Sequence, residues 1–328
     1  MKLGEIFKNG LILQAGKPIR IFGESDREVR LTFAGTERIA PGGKWTVEFP
    51  AMEYGGPYIL TASGDGEELT VGDIYIGEVV LFSGQSNIQF RMSEAVTPDE
   101  FIADDDMLRI FVSERPEEGE PLNPSDGWIK ASRETIGKWS ALAYLTGFEL
   151  RKKGIPAVGV VACSQGASVI QSWIDDKIIV GSELDLPDEK RHRDSKDPTY
   201  SKWNAPGMLY HFMLERLTPF SFGRVVWYQG ESNASVFEGE IYDRLLAMMI
   251  GNWRKSFADD SLGFIIVQIA DFIHTGDKNG WKAVQAAQLR AQDEIPGVRT
   301  VVSADICEND TIHPVTKWKL AKRISEII

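Results

Sequence analysis

Only two cysteines, Cys163 and Cys307, occur in 328 residues, which excludes a disulfide framework as a source of stability. Both stand in apolar, strand-like surroundings and read as reduced, buried thiols rather than nucleophiles. No apolar run is long enough to span a bilayer, so no membrane partner is expected. The stretch Met1 to Gly10 lacks the unbroken apolar core of a secretory signal, and with its initial Met it reads as cytoplasmic. Basic residues are scarce, 36 Lys and Arg against 48 Asp and Glu, for a net charge of -12. Without a basic face there is no footing for nucleic acid. Also missing are His-Glu-x-x-His, His and Cys at zinc spacing, a Walker-type phosphate loop and Gly-x-Gly-x-x-Gly. No metal or cofactor is therefore expected. The absence of Gly-x-Ser-x-Gly disfavours the nucleophile elbow of the α/β-hydrolases.

What is present is ordinary in bulk and specific in detail. With 43% hydrophobic and 26% charged residues, the chain reads as a soluble globular protein long enough for two domains. From Gly10 to Gly72, short alternating runs such as Val29 to Phe33 and Trp45 to Phe49 are separated by Gly/Pro turns. This pattern predicts a small β-sandwich over residues 1–72. Over 73–328, apolar strands alternate with amphipathic helices, predicting an α/β domain with a mostly parallel sheet. Strands are expected at Glu78 to Ser83, Leu108 to Val112, Ala157 to Cys163, Arg224 to Tyr228, Gly263 to Ile269 and Arg299 to Ala304. Helices are expected at Ala141 to Lys153, Met208 to Leu217, Ile241 to Phe257, Trp281 to Ile295 and Lys317 to Ile327. The charged stretch Gly181 to Lys202 reads equally as a substrate-side loop and as a surface insertion.

In such sheets the site lies beyond the C-terminal ends of the strands, so those ends are where chemistry is to be sought. One carries Gly84-Gln85-Ser86-Asn87, and the last leads to Asp310-Thr311-Ile312-His313. A serine hydroxyl needs an adjacent base, and an imidazole oriented by a carboxylate is the usual one. Ser86 is thus the candidate nucleophile, His313 its base and Asp310 the orienter. An oxyanion needs aimed donors: the Ser86 and Gly166 N–H groups, with a side-chain amide from Gln229 or Asn233 as a third. Gln85, Asn87, His211 and His274 are candidate substrate contacts. His192 sits in a charged run and reads as solvated. Trp173, Trp203 and Trp227 are candidates for a sugar platform or for core.

Gly84-Gln85-Ser86-Asn87, Trp227 to Ala234 (Trp-Tyr-Gln-Gly-Glu-Ser-Asn-Ala) and Asp310-x-x-His313-Pro314 closely resemble the motifs of the sialate O-acetylesterase family of the SGNH hydrolase superfamily. Gly43-Lys44-Trp45-Thr46-Val47 resembles the family's N-terminal β domain. The resemblance implies a flavodoxin-like SGNH domain and metal-free removal of acetyl groups from sugars by a Ser-His-Asp mechanism. It ranks Gln229 above Asn233 as oxyanion donor. The second motif departs from the family: Ser164-Gln165-Gly166-Ala167-Ser168 stands for Ser-Trp-Gly-Gly-Thr, and His211-Phe212 stands for Asn-Gly. An acetylated sugar is the expected partner, and a homo-oligomer is left open. The rival readings are an SGNH esterase or transacylase for another acyl group, and a non-catalytic carbohydrate-binding protein.

Overall fold

The computed structural model describes residues 1–115, 127–187, 190 and 202–328. Most of the stretch from Gly181 to Lys202, with His192, lies outside the described residues.

The N-terminal part is a two-sheet β arrangement. One sheet holds β1 (Lys2–Leu3), β3 (Ile19–Ser25) and β6 (Gly43–Phe49) in the order β1-β3-β6. The other pairs β4 (Val29–Phe33) with β5 (Thr36–Ala40) and β7 (Gly55–Gly64), all antiparallel. Alternation does the folding here. In β4, Val29, Leu31 and Phe33 are buried while Arg30 and Thr32 face out, as a half-buried strand requires.

Strand β8 (Glu67–Gly84) joins the two parts without a break. Its first half pairs with β7, and its second half enters the large parallel sheet. The boundary expected between residues 72 and 73 therefore falls inside a strand. That sheet runs β10 (Ile129–Ala131), β9 (Asp105–Val112), β11 (Val158–Ser164), β8, β12 (Arg224–Tyr228), β13 (Gly263–Val267) and β14 (Val298–Val301). Only β10 is antiparallel to its neighbour; β2 (Ile12–Gln14) adds a further parallel pairing to β8. With β9 and β10 set aside as an edge insertion, the remaining five strands follow the doubly wound order 2-1-3-4-5. The strand reading Val-Gly-Val-Val-Ala-Cys is buried almost throughout, because helices cover both faces of a parallel sheet.

Helices α2 (Ala141–Lys152), α5 (Tyr242–Ser256), α6 (Lys278–Glu294) and α7 (Lys317–Ser325) carry that cover. Shorter turns form α1 (Ser86–Gln89), α3 (Asp176–Ile179) and α4 (Val236–Gly239). Helix α5 buries Leu245, Leu246, Met249, Ile250 and Trp253 on one face. The helix expected over Met208 to Leu217 is instead a π-helical turn, Tyr210–Leu214, followed by a 3₁₀ turn. Trp173 and Trp227 pack edge to face at 6.0 Å, and both are fully buried. With Trp203 at 2% exposure, all three tryptophans belong to the core and none forms a sugar platform.

Candidate active site

Ser86 follows β8 where β11 and β12 flank it on opposite sides, the switch point of a doubly wound sheet. Gly84 ends the strand at φ +135°, and a Cβ there would lie 2.1 Å from the Tyr228 carbonyl oxygen. Only glycine admits that approach. The Gln85 N–H donates to the same carbonyl (3.1 Å), and the Gln165 N–H donates to the Gly84 carbonyl (3.1 Å). The Ser86 turn is thus fixed to the ends of both neighbouring strands. Ser86 opens α1, where first-turn N–H groups have no intrahelical acceptor.

His313 reaches the site from the loop between β14 and α7. Its Nε2 lies 2.7 Å from Ser86 Oγ. With Nε2 accepting the hydroxyl proton, the ring's own proton sits on Nδ1. Burial lowers the imidazole pKa below its ordinary value, and the charge of Lys317 lowers it further, against a smaller upward pull from Glu94. The ring is therefore neutral, and a competent base, at neutral pH.

The expected third member is not in place. Asp310 is exposed, and among the described residues no hydrogen bond joins it to His313. The loop spends its local bond elsewhere, with Thr311 Oγ1 accepting from the His313 N–H at 3.1 Å. What the structure assembles is a dyad.

The oxyanion donors also differ from expectation. Gly166 is beside Ser86, since a Cβ on it would lie 3.7 Å from Ser86 Cβ. Its N–H already donates to Gln89 Oε1 at 2.7 Å, while Gln89 Nε2 donates to the Ser164 carbonyl at 3.2 Å. Gln229 is fully buried, and its amide hydrogens go to the Ser168 carbonyl (2.9 Å) and Asn233 Oδ1 (2.8 Å). Asn233 spends its own amide on Gln171 Oε1 and Glu238 Oε1. Both amides are committed to holding the β12 turn against the Ser168–Trp173 segment, so neither points a donor at an oxyanion.

Nor do the four expected substrate contacts reach the cleft, whose volume is about 700 Å³. Gln85 Oε1 accepts from the N–H groups of Gly230 and Ser232 and braces that turn. Asn87 is buried behind Ser86. His211 is paired with Asp176 (2.9 Å) and Glu215 (3.0 Å); burial alone would lower its pKa, but these carboxylates raise it. His274 is exposed against Phe272. The cleft is lined instead by Ser86, Gln89, Arg91, Glu94, Lys138 and His313, among others. Four of these were missed, and only Gln89 had a signal: it stands three residues after Ser86, one helical turn on. Asp175, Asp176 and His211 could together offer three metal-ligand atoms, but they lie partly exposed and outside the cleft lining.

Comparison with known proteins settles the family. The sequence model of a carbohydrate esterase family, described as sialic acid-specific acetylesterase, matches residues 76–326. The chain belongs to that family. The esterase is 26% identical over 372 aligned residues to the sialate O-acetylesterases of Pongo abelii and Homo sapiens, with 98% of this chain and 69% of each relative covered. A crystal structure of a carbohydrate acetylesterase from Xanthomonas citri superposes with a TM-score of 0.82 at 29% identity, covering 98% of this chain and 73% of that one. An Arabidopsis thaliana protein, at 18% identity and a TM-score of 0.50, shares the fold over 76% of this chain and 97% of its own. The enzyme is a carboxylic ester hydrolase with a mixed α/β fold built on one large sheet.

Proposed function

We propose that this esterase removes O-acetyl groups from carbohydrates through an acetyl-Ser86 intermediate, on an SGNH-type catalytic body. The observation that carries the reading is the 2.7 Å contact between His313 Nε2 and Ser86 Oγ at the switch point of the sheet. Ser86 Oγ attacks the acetyl carbonyl carbon as its proton passes to His313 Nε2. The negative charge that develops on the carbonyl oxygen is met by the Ser86 N–H, and by the Gly166 N–H once Gln89 swings away. Collapse breaks the bond to the sugar oxygen, which takes the proton from His313. Water then attacks the acetyl-serine, delivers its proton to His313, and leaves acetate and free Ser86.

The substrate class best matched by the cleft is an acidic acetylated sugar of the sialate kind. Arg91, Arg115 and Lys138 outnumber Glu94 and Glu114 in the cleft lining of a chain whose net charge is -12. A carboxylate on the sugar would meet those groups, whereas a neutral xylo-oligosaccharide would gain nothing from them. The relatives named for sialate support the same choice. Release of p-nitrophenol from p-nitrophenyl acetate, with and without EDTA, tests the reaction. Turnover should be EDTA-insensitive and should fall by at least ~10³-fold in Ser86→Ala and in His313→Ala. Activity that survives Ser86→Ala rejects the mechanism, and sugar binding without turnover favours a carbohydrate-binding role.

A further inference from the structure

A buried charged network adjoins the dyad, and the chemistry above leaves it without a role. Asn87, the residue after the nucleophile, has no exposed surface. Its Oδ1 accepts from Lys317 Nζ at 2.5 Å. Its Nδ2 donates to Glu231 Oε1 at 2.7 Å and to the carbonyl of Ile312, the residue before the base, at 3.1 Å. One amide therefore ties the loop of Ser86 to the loop of His313. A cation on its oxygen side and a carboxylate on its nitrogen side leave it a single orientation.

Lys317 is an expensive residue to keep here. It is fully buried, opens α7, and turns its ammonium toward the rings of Phe90 (5.0 Å) and Tyr228 (5.5 Å). Glu231 Oε2 and the Tyr228 hydroxyl are buried beside it with no hydrogen-bond partner. A buried ammonium costs stability even when hydrogen-bonded, so this arrangement calls for another account.

We propose that Lys317, acting through Asn87, is a positioning residue that aligns His313 on Ser86. The inference rests on the Ser86–His313 reading of the site. Its logic is mechanical and electrostatic together. Asn87 holds the backbone on both sides of the reacting pair, and Lys317 holds Asn87. The charged groups beside His313 are Lys317 and Glu94; Lys317 in turn faces Glu231, Glu308 and the Cys307 thiol, which burial raises to about 11 and so leaves neutral. Burial brings the Lys317 pKa down to about 8, so it remains largely cationic at neutral pH and fully so below. A cation beside an imidazole opposes its protonation and keeps the base free toward lower pH.

The test is the pH profile of kcat/KM and kcat on p-nitrophenyl acetate for wild type, Lys317→Met, Asn87→Ala, the double variant and Ser86→Ala. Lys317→Met should lower kcat by roughly 10- to 100-fold with KM little changed, as loss of alignment predicts. Its acid limb should move to higher pH, because the charge that held the imidazole down is gone. The double variant should be no slower than Asn87→Ala, since the lysine acts through the amide. Where Lys317→Met fails to fold, Lys317→Gln and Asn87→Asp take its place. The latter sets a carboxylate against Glu231 and the Ile312 carbonyl and should lose kcat likewise. An acid limb that stays in place, an unchanged kcat, or additive losses in the double variant would overturn the proposal. Full activity in Ser86→Ala would instead remove the dyad reading on which it stands.

Discussion

Gln89 occupies the N–H that the proposed mechanism assigns to the oxyanion: its carbonyl oxygen takes the Gly166 N–H at 2.7 Å. A substrate carbonyl must displace it, and the displacement costs about one hydrogen bond, ~1 kcal/mol. Gln89→Ala should therefore raise kcat/KM for p-nitrophenyl acetate by about 2- to 5-fold, the kinetic equivalent of that bond. A tenfold fall would mean that Gln89 itself holds the transition state. Asp310 stands the other way. Exposed and without a bond to His313, it should be dispensable, so Asp310→Asn is expected to keep most of wild-type kcat in the same assay. A loss of about 10⁴-fold, the size seen when a triad acid is replaced, would restore it as the orienter. Ser86 and His313 were legible in the sequence because nucleophile and base each sit in a conspicuous polar turn after a strand. Gln229 and Asn233 stand in an equally conspicuous turn. What misled there is that sequence shows which amides lie near a site, but not which of their hydrogens are already spent.

Strand ends carry the site, and two of them hold backbone in positive φ. At Gly84 the β12 backbone leaves no room for a side chain, so Gly84→Ala should cost at least ~2 kcal/mol in denaturant unfolding and abolish esterase activity. Ala167, where the family has a second glycine, sits at φ +54° in the turn after β11. Alanine there bears roughly 1 kcal/mol of left-handed strain, so Ala167→Gly should leave the unfolding midpoint unchanged or higher. A lower midpoint would show that the turn is not strained. Most elements were readable from their apolar runs: Arg224 to Tyr228 is the observed strand residue for residue, and Ala141 to Lys153 differs from the helix by one. Other features had no local signal. The charged strand Thr36–Ala40 has no apolar run of its own and takes its place by pairing with β4. The π-helical turn at Tyr210–Leu214 keeps helical spacing in sequence, and it is packing that widens it.

The two parts of the molecule are bound by strand β8 and by two cations at their junction, one of them buried. Arg109, with no exposed surface, donates to the carbonyls of Gly10 (2.8 Å), Asp73 (2.9 Å) and Asp106 (2.8 Å) and pairs with the Asp73 carboxylate at 3.1 Å. Lys17 reaches across to Asp259 at 2.7 Å and to the Phe222 carbonyl at 2.8 Å. Arg109→Ala would strand the buried Gly10 carbonyl and break two part-buried bonds, and should cost about 2 kcal/mol or more, read as a lower urea midpoint. Loss of less than ~1 kcal/mol would show that β8 alone makes the junction. The composition shifts at Gly72, yet the strand runs through the shift, because a sequence change from alternation to a continuous apolar run alters what covers a strand and not whether it continues. The central claim for the whole molecule is covalent catalysis from Ser86. It is tested most directly by acid-quenching the enzyme during turnover of p-nitrophenyl acetate and mapping its peptides by mass spectrometry. One acetyl group on the peptide containing Ser86, absent in Ser86→Ala, is the predicted result; turnover with no acetylated serine, or with the acetyl group on another residue, would contradict it.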